Sequence, residues 1–179
     1  SSIHLESGAS KEIKLDKYGM KGTQKVFMEV SSIGSIQTEE NLKKLIDYPH
    51  GCVEQTISSV LPQLFLENFI ELDVSKVKEL KNNIAAGISK LQGFQRSNGG
   101  LSYWPGSFST EDYCSAYAYH FLMEAKKKGY QVPDAFLSKL GKYLSAASNA
   151  YQEDKYRSDS KYIDFIQAYR LYVLSLASS

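Results

Sequence analysis

The chain has 179 residues, 42% of them hydrophobic and 23% charged, with a net charge of +1. At roughly 150 residues per domain this allows one domain plus a remnant, too apolar for disorder and too evenly charged for an electrostatic nucleic-acid or anionic-membrane surface. No apolar run approaches the ~18 residues of a membrane helix, and two cysteines, Cys52 and Cys114, do not make a disulfide scaffold.

The first residues, Ser1-Ser2-Ile3-His4, carry neither an initiator Met nor a signal peptide, so a piece of a longer chain is expected. Residues 1–36 read differently from the rest. Glu12-Ile13-Lys14-Leu15 and Lys25-Val26-Phe27-Met28-Glu29-Val30 alternate polar and apolar, with Gly19 and Gly22 between them. That period of two predicts a β-hairpin, which either completes a β-rich region otherwise mostly missing or packs on the helices that follow. From Thr38 the period becomes helical. Thr38-Glu39-Glu40 offers a cap and first-turn acids, Leu42, Leu45 and Ile46 share a face, and Pro49 ends the helix. A second helix starts near Gly51-Cys52 and carries Ile57, Val60, Leu61, Leu64 and Phe65, with an interruption or restart at Pro62. The third runs from Ser75 to about Leu91, its apolar residues three and four apart.

A loop over Gly93–Gly106 leads into a fourth helix, from Thr110 or Asp112 to Lys128, closed by Gly129. Pro133 and Asp134 open a fifth, with Phe136, Leu137, Leu140, Tyr143 and Leu144 inside. Asn149 to Asp159 is polar. A last helix covers about Ser160 to Ala177, apolar on so much of its surface that further protein is expected to cover it. Successive helix pairs with short connections fit an α/α solenoid or toroid.

Chemistry concentrates in Asp47-Tyr48-Pro49-His50-Gly51-Cys52-Val53-Glu54-Gln55-Thr56. Pro49 stops one helix and Gly51 permits a sharp turn. Cys52 then falls in the first turn of the next helix, where thiols gain thiolate character. Gln55, three residues on, shares its face. A thiolate facing a carboxamide can attack the amide carbon, expel ammonia and leave an internal thioester. A Cys and a Gln at this spacing also recur by chance in many helices, as an inert pair. Glu54 lies off that face and is expected to make a cap or a structural hydrogen bond. His50 is placed to favour the thiolate, to cap the turn or to stand exposed, and the last two are the stronger readings. Cys114 reads as a free core thiol, His120 as a core or groove residue, and Lys126-Lys127-Lys128 as a solvated helix end.

Tyr48 to Thr56 closely resembles the thioester motif of the alpha-2-macroglobulin and complement family, most of all its bacterial branch. Asn98-Gly99-Gly100-Leu101-Ser102-Tyr103-Trp104-Pro105-Gly106 resembles that branch's loop between toroid helices, and Ser115 to Pro133 continues the likeness. The resemblance implies a mainly α fold: residues 37–179 as the N-terminal part of an incomplete α/α-toroid thioester domain, and 1–36 as a strand segment from the adjoining β-rich region. It implies a Cys52–Gln55 thioester, with Gly51, Glu54, Tyr48 and His50 in support and Tyr103 and Trp104 as shields. The implied function is a single-use covalent protease trap rather than a turnover enzyme. The parent protein would be periplasmic or tied to the cell envelope through a lipid anchor outside this segment. Its partners would be the captured proteases and its own other domains, with no cofactor, metal or nucleic acid.

Some complement members place a His in a later loop to direct transfer to hydroxyls. Here that loop falls near Tyr151 to Tyr162 and offers Tyr156, Arg157, Ser158, Ser160 and Tyr162, with no His after His120. Attack by amines is therefore expected. The competing readings are a binding or structural toroid with an inert Cys52–Gln55 pair, and an enzyme on the same scaffold. The enzyme lacks a zinc spacing, an Asp-rich cluster and paired catalytic carboxylates.

Overall fold

The helical periodicity from Thr38 onward becomes six α-helices in a computed structural model that describes residues 3–16, 19–24, 26, 28, 30, 38–153 and 159–178. They are α1 (Thr38–Lys43), α2 (Val53–Gln63), α3 (Val74–Gln92), α4 (Asp112–Lys127), α5 (Asp134–Asn149) and α6 (Ser160–Ser175). Short 3-10 turns cover Leu66–Asn68 and Leu176–Ser178. The chain divides into two units, Ser1–Glu40 and Asn41–Ser179.

In the first unit the expected hairpin is not shown. Glu12–Leu15 forms no strand, and Ile13, Leu15, Val26, Met28 and Val30 are exposed. Lys25, Phe27 and Glu29 lie outside the described residues. Alternation alone holds no hairpin together in water without a surface to bury its apolar face.

The second unit is mainly α and toroid-like. α4 is its hub, packed against α2, α3, α5 and α6. Ala116, Ala118 and Ala125 are fully buried along α4, so neighbouring helices approach closely around it. α2 contributes Val53, Ile57 and Val60 to the core, and α3 contributes Leu80, Ile84, Ile88 and Leu91. Each such side chain adds about 1.5–3 kcal/mol when fully withdrawn from water. Gly87 of α3 is part of that fit, because a Cβ there would stand 2.8 Å from Val60 Cγ1.

Two boundaries differ from expectation. α1 ends at Lys43, well before Pro49. Ile46 turns into the core, and the Asp47 carbonyl is captured by α2 through Ser59 and Gln63, which draws the chain off the helical path. Pro62 does not break α2, which runs one residue further to Gln63. Its missing N–H falls in the last turn of the helix. α3, α4 and α6 match their expected spans to within two residues and α5 starts where expected, with Asp73 capping α3 through Lys76 N–H at 2.9 Å.

One buried charge ties three helices together. Arg170 of α6 is 5% exposed and stands 3.3 Å from the Asp112 carboxylate at the start of α4. Its guanidinium also donates to Gln167 Oε1 at 2.7 Å and to the Ala147 carbonyl of α5 at 3.4 Å. Tyr143 of α5 donates to the same Asp112 oxygen at 2.5 Å.

Candidate functional site

The site begins at a turn that only glycine fits. Gly51 has φ +80°, in the left-handed region. A Cβ on it would lie 1.9 Å from Gln55 Oε1. Cys52 follows in extended conformation as the N-cap of α2 rather than inside its first turn. Cys52 and Gln55 stand as a capping box, and the Gln55 side-chain carbonyl accepts the Cys52 N–H at 3.0 Å. Cys52 is 2% exposed, while Gln55 is exposed. Thr56, fully buried, locks the cap from below: its N–H and hydroxyl both donate to the Cys52 carbonyl, at 2.9 and 2.8 Å. The arrangement places a buried sulfur at a helix N-terminus, one turn from a carboxamide.

Buried and half-buried polar side chains hold the turn against the helices. Gln63 Nε2 donates to the Asp47 carbonyl at 2.8 Å, and Ser59 Oγ donates to it at 3.1 Å. Asn83 of α3 supports Gln63 at 3.3 Å, and Lys90 Nζ donates to the Pro49 carbonyl at 2.9 Å. Sequence reasoning placed Thr56 in the motif without a role and missed Gln63, Asn83 and Lys90. The available signal was a Thr, a Gln and an Asn set within apolar helical stripes. Their partners are mostly backbone carbonyls, which residue spacing does not disclose. Tyr48 and His50 are both exposed at the turn and pack against each other with ring centres 4.7 Å apart.

The Gly93–Gly106 loop comes to the same place. Leu101 pairs with Gln95 in an isolated antiparallel bridge, and its N–H donates to Ser115 Oγ of α4 at 2.9 Å. Buried Ser102 lies with its hydroxyl 2.7 Å from the Trp104 carbonyl and 3.1 Å from that of Phe94. The Tyr103 carbonyl then accepts the Val53 N–H at 3.1 Å, joining the loop to the first residue of α2. The Tyr103 phenol reaches Cys52. Its side-chain hydrogen bond to Cys52, and next the charge of that sulfur, push it up to about 12. Trp104 is half-exposed and meets Tyr103 edge-on, ring centres 6.0 Å apart.

Glu54 is exposed in the first turn of α2, and the cap or hydrogen bond expected of it does not occur among the described residues. Cys114 is buried as expected. Burial first, then the negative charges of Glu54, Glu111 and Cys52, push its thiol up to about 12. His120 is half-buried away from the cap, with Nδ1 3.0 Å from the Tyr169 hydroxyl. Of the loop between α5 and α6, Tyr156, Arg157 and Ser158 lie outside the described residues. Among the described residues no group of three His, Cys, Asp or Glu side chains is placed to hold a metal ion.

The model of the A-macroglobulin TED domain matches residues 25–167. The chain is 31% identical to the alpha-2-macroglobulin of Escherichia coli over 142 residues, covering 76% of this chain and 8% of that protein. It is 33% identical to the alpha-2-macroglobulin of Thermotoga maritima over 113 residues, covering 63% of this chain and 7% of that protein. It thus spans under a tenth of the length of these relatives. Among solved structures, Salmonella alpha-2-macroglobulin reacted with methylamine superposes on 78% of this chain and 10% of that one, with TM-score 0.63 and 27% identity. Native E. coli alpha-2-macroglobulin, from domain MG7 to the C-terminus, superposes on 76% of this chain and 22% of that one, with TM-score 0.60 and 30% identity. The matched span holds both the Cys52–Gln55 cap and the loop that closes over it. The chain belongs to the bacterial alpha-2-macroglobulin family and carries its TED domain.

Proposed function

We propose that Cys52 and Gln55 form an internal thioester, and that the protein to which this chain contributes is a single-use covalent protease trap. In the forming step Cys52 Sγ attacks the Gln55 amide carbon. The S–C bond forms, the C–N bond breaks, and ammonia leaves with the thiol proton. In the trapping step an amine on the protease attacks the same carbon. The C–S bond breaks, the acyl group stays on the protease as an amide, and the sulfur recovers a proton. Nothing is regenerated, so there is no turnover.

The observation that carries this reading is the capping box of a buried cysteine and an exposed glutamine, with the Gln55 carbonyl 3.0 Å from the Cys52 N–H. The cap holds the Gln55 carboxamide at Cys52, the residue whose sulfur attacks it in the forming step. The family supports it further: one matched Salmonella structure was reacted with methylamine, and matched E. coli structures were activated by trypsin and by porcine elastase. Shielding of the bond falls to Tyr103, Trp104 and Tyr48, with His50 packed on Tyr48. We assign residues 1–36 to the end of the adjoining region and 37–179 to the toroid. The setting is the periplasm or cell envelope, with any membrane anchor outside this segment.

The test is covalent capture by the full-length protein. Trypsin added to it should yield conjugates that survive denaturing electrophoresis, and Cys52→Ala should abolish them. Conjugates of equal yield in Cys52→Ala would contradict the reading.

A further inference from the structure

Beside the cap lies an open groove of about 360 Å³, walled by Tyr103, Tyr113, Tyr162 and Phe165. Two carboxylates, Glu54 from α2 and Glu111 from the residue before α4, also line it. Neither has a cationic partner among the described residues; Glu111 accepts only a long contact from Ser109 Oγ at 3.4 Å. At the groove's base is Cys114, 5% exposed, without a hydrogen-bond partner among the described residues. A groove with two uncompensated negative charges and a wall of aromatic faces is suited to a cation on an aliphatic stem. One of its walls, Tyr103, accepts the N–H of Val53, the residue after Cys52, on its backbone carbonyl at 3.1 Å. Glu54, which also lines the groove, lies between Cys52 and Gln55 in the chain, so the groove lies beside the cap.

The geometry points to this groove as the entry port for the attacking amine, with Glu54 and Glu111 drawing in a lysine ammonium and accepting its proton. The inference rests on the thioester reading and deepens it. At neutral pH a lysine is an ammonium and has no lone pair to attack with. Transfer of one proton to a groove carboxylate leaves a neutral amine. Its lone pair attacks the Gln55 carbonyl carbon, the C–S bond breaks, and the departing sulfur takes a proton in return. Atoms and charge balance without any further reagent. The negative field raises the local concentration of cationic nucleophiles and does nothing for uncharged ones.

The discriminating experiment compares two small nucleophiles on the intact protein, following release of the Cys52 thiol. Methylamine is a cation at neutral pH and hydroxylamine is uncharged. In Glu54→Gln/Glu111→Gln the ratio of the methylamine to the hydroxylamine rate constant should fall about fivefold. In the unaltered protein the same ratio should fall as salt is raised. Glu54 lies between the two bond-forming residues, so Glu111→Gln alone serves as the second variant, with a fall of about twofold. A ratio unchanged in both variants overturns the entry port while leaving the thioester in place. An unaltered protein that releases no thiol with either nucleophile overturns both.

Discussion

At the scale of single residues, Gly51 has two jobs that no other residue can combine. It supplies a left-handed φ of +80°, and it leaves the space that the Gln55 carbonyl occupies. Alanine would strain the backbone and drive its Cβ to 1.9 Å from that oxygen. Gly51→Ala should therefore lower stability by about 1–3 kcal/mol, measurable as a shift in the denaturant midpoint. It should also swing Gln55 away from Cys52 and reduce thioester content. A variant with unchanged stability and a full complement of thioester would mean that the turn does not position Gln55. The Cys-Gln spacing and the Gly before it were legible in the sequence because they are local. The polar groups beneath them were not, since Gln63 and Lys90 act on carbonyls sixteen and forty-one residues away in the chain.

At the scale of elements, the α4–α5–α6 junction depends on Arg170, whose charge is buried between Asp112 and the end of α5. Arg170→Met keeps much of the packing but removes the donors to Asp112, Gln167 and Ala147. Because Asp112 is 46% exposed and water screens it, the expected loss is only about 1–3 kcal/mol. An unfolding midpoint equal to that of the unaltered protein would show that the ion pair contributes nothing net.

The contact between α4 and α6 also carries a pH dependence. Burial lowers the pKa of His120 below its ordinary 6.5, with Lys127 adding to the shift and Glu124 opposing it. Between the lowered value and 6.5 the unfolded chain binds more protons than the folded one, so acid favours unfolding. Stability should be full above 6.5 and decline as pH falls through that window. The slope should flatten in His120→Gln, as read from melting temperature against pH; an equal slope in both would assign the dependence elsewhere. Helices α3 to α6 were legible from their three-and-four apolar spacing because that period reports burial directly. The early end of α1 was not, because tertiary capture of Asp47 rather than Pro49 terminates it. The alternation in residues 12–15 and 25–30 marks strand propensity without showing a surface for those strands to pair against.

At the scale of the whole molecule, the toroid unit brings three distant segments to one point: the 47–51 turn, the 93–106 loop and the start of α4. The core sets the loop, the loop sets Tyr103, and Tyr103 meets Cys52. All of this chemistry reduces to whether the sulfur and the carboxamide are joined in the native protein before any protease arrives. Intact mass of the native, uncleaved full-length protein decides it. The mass should lie about 17 Da below the sequence value, one ammonia lost, and methylamine should abolish that deficit while freeing a single thiol. A native protein at its full sequence mass, with Cys52 titratable at once, would contradict the account.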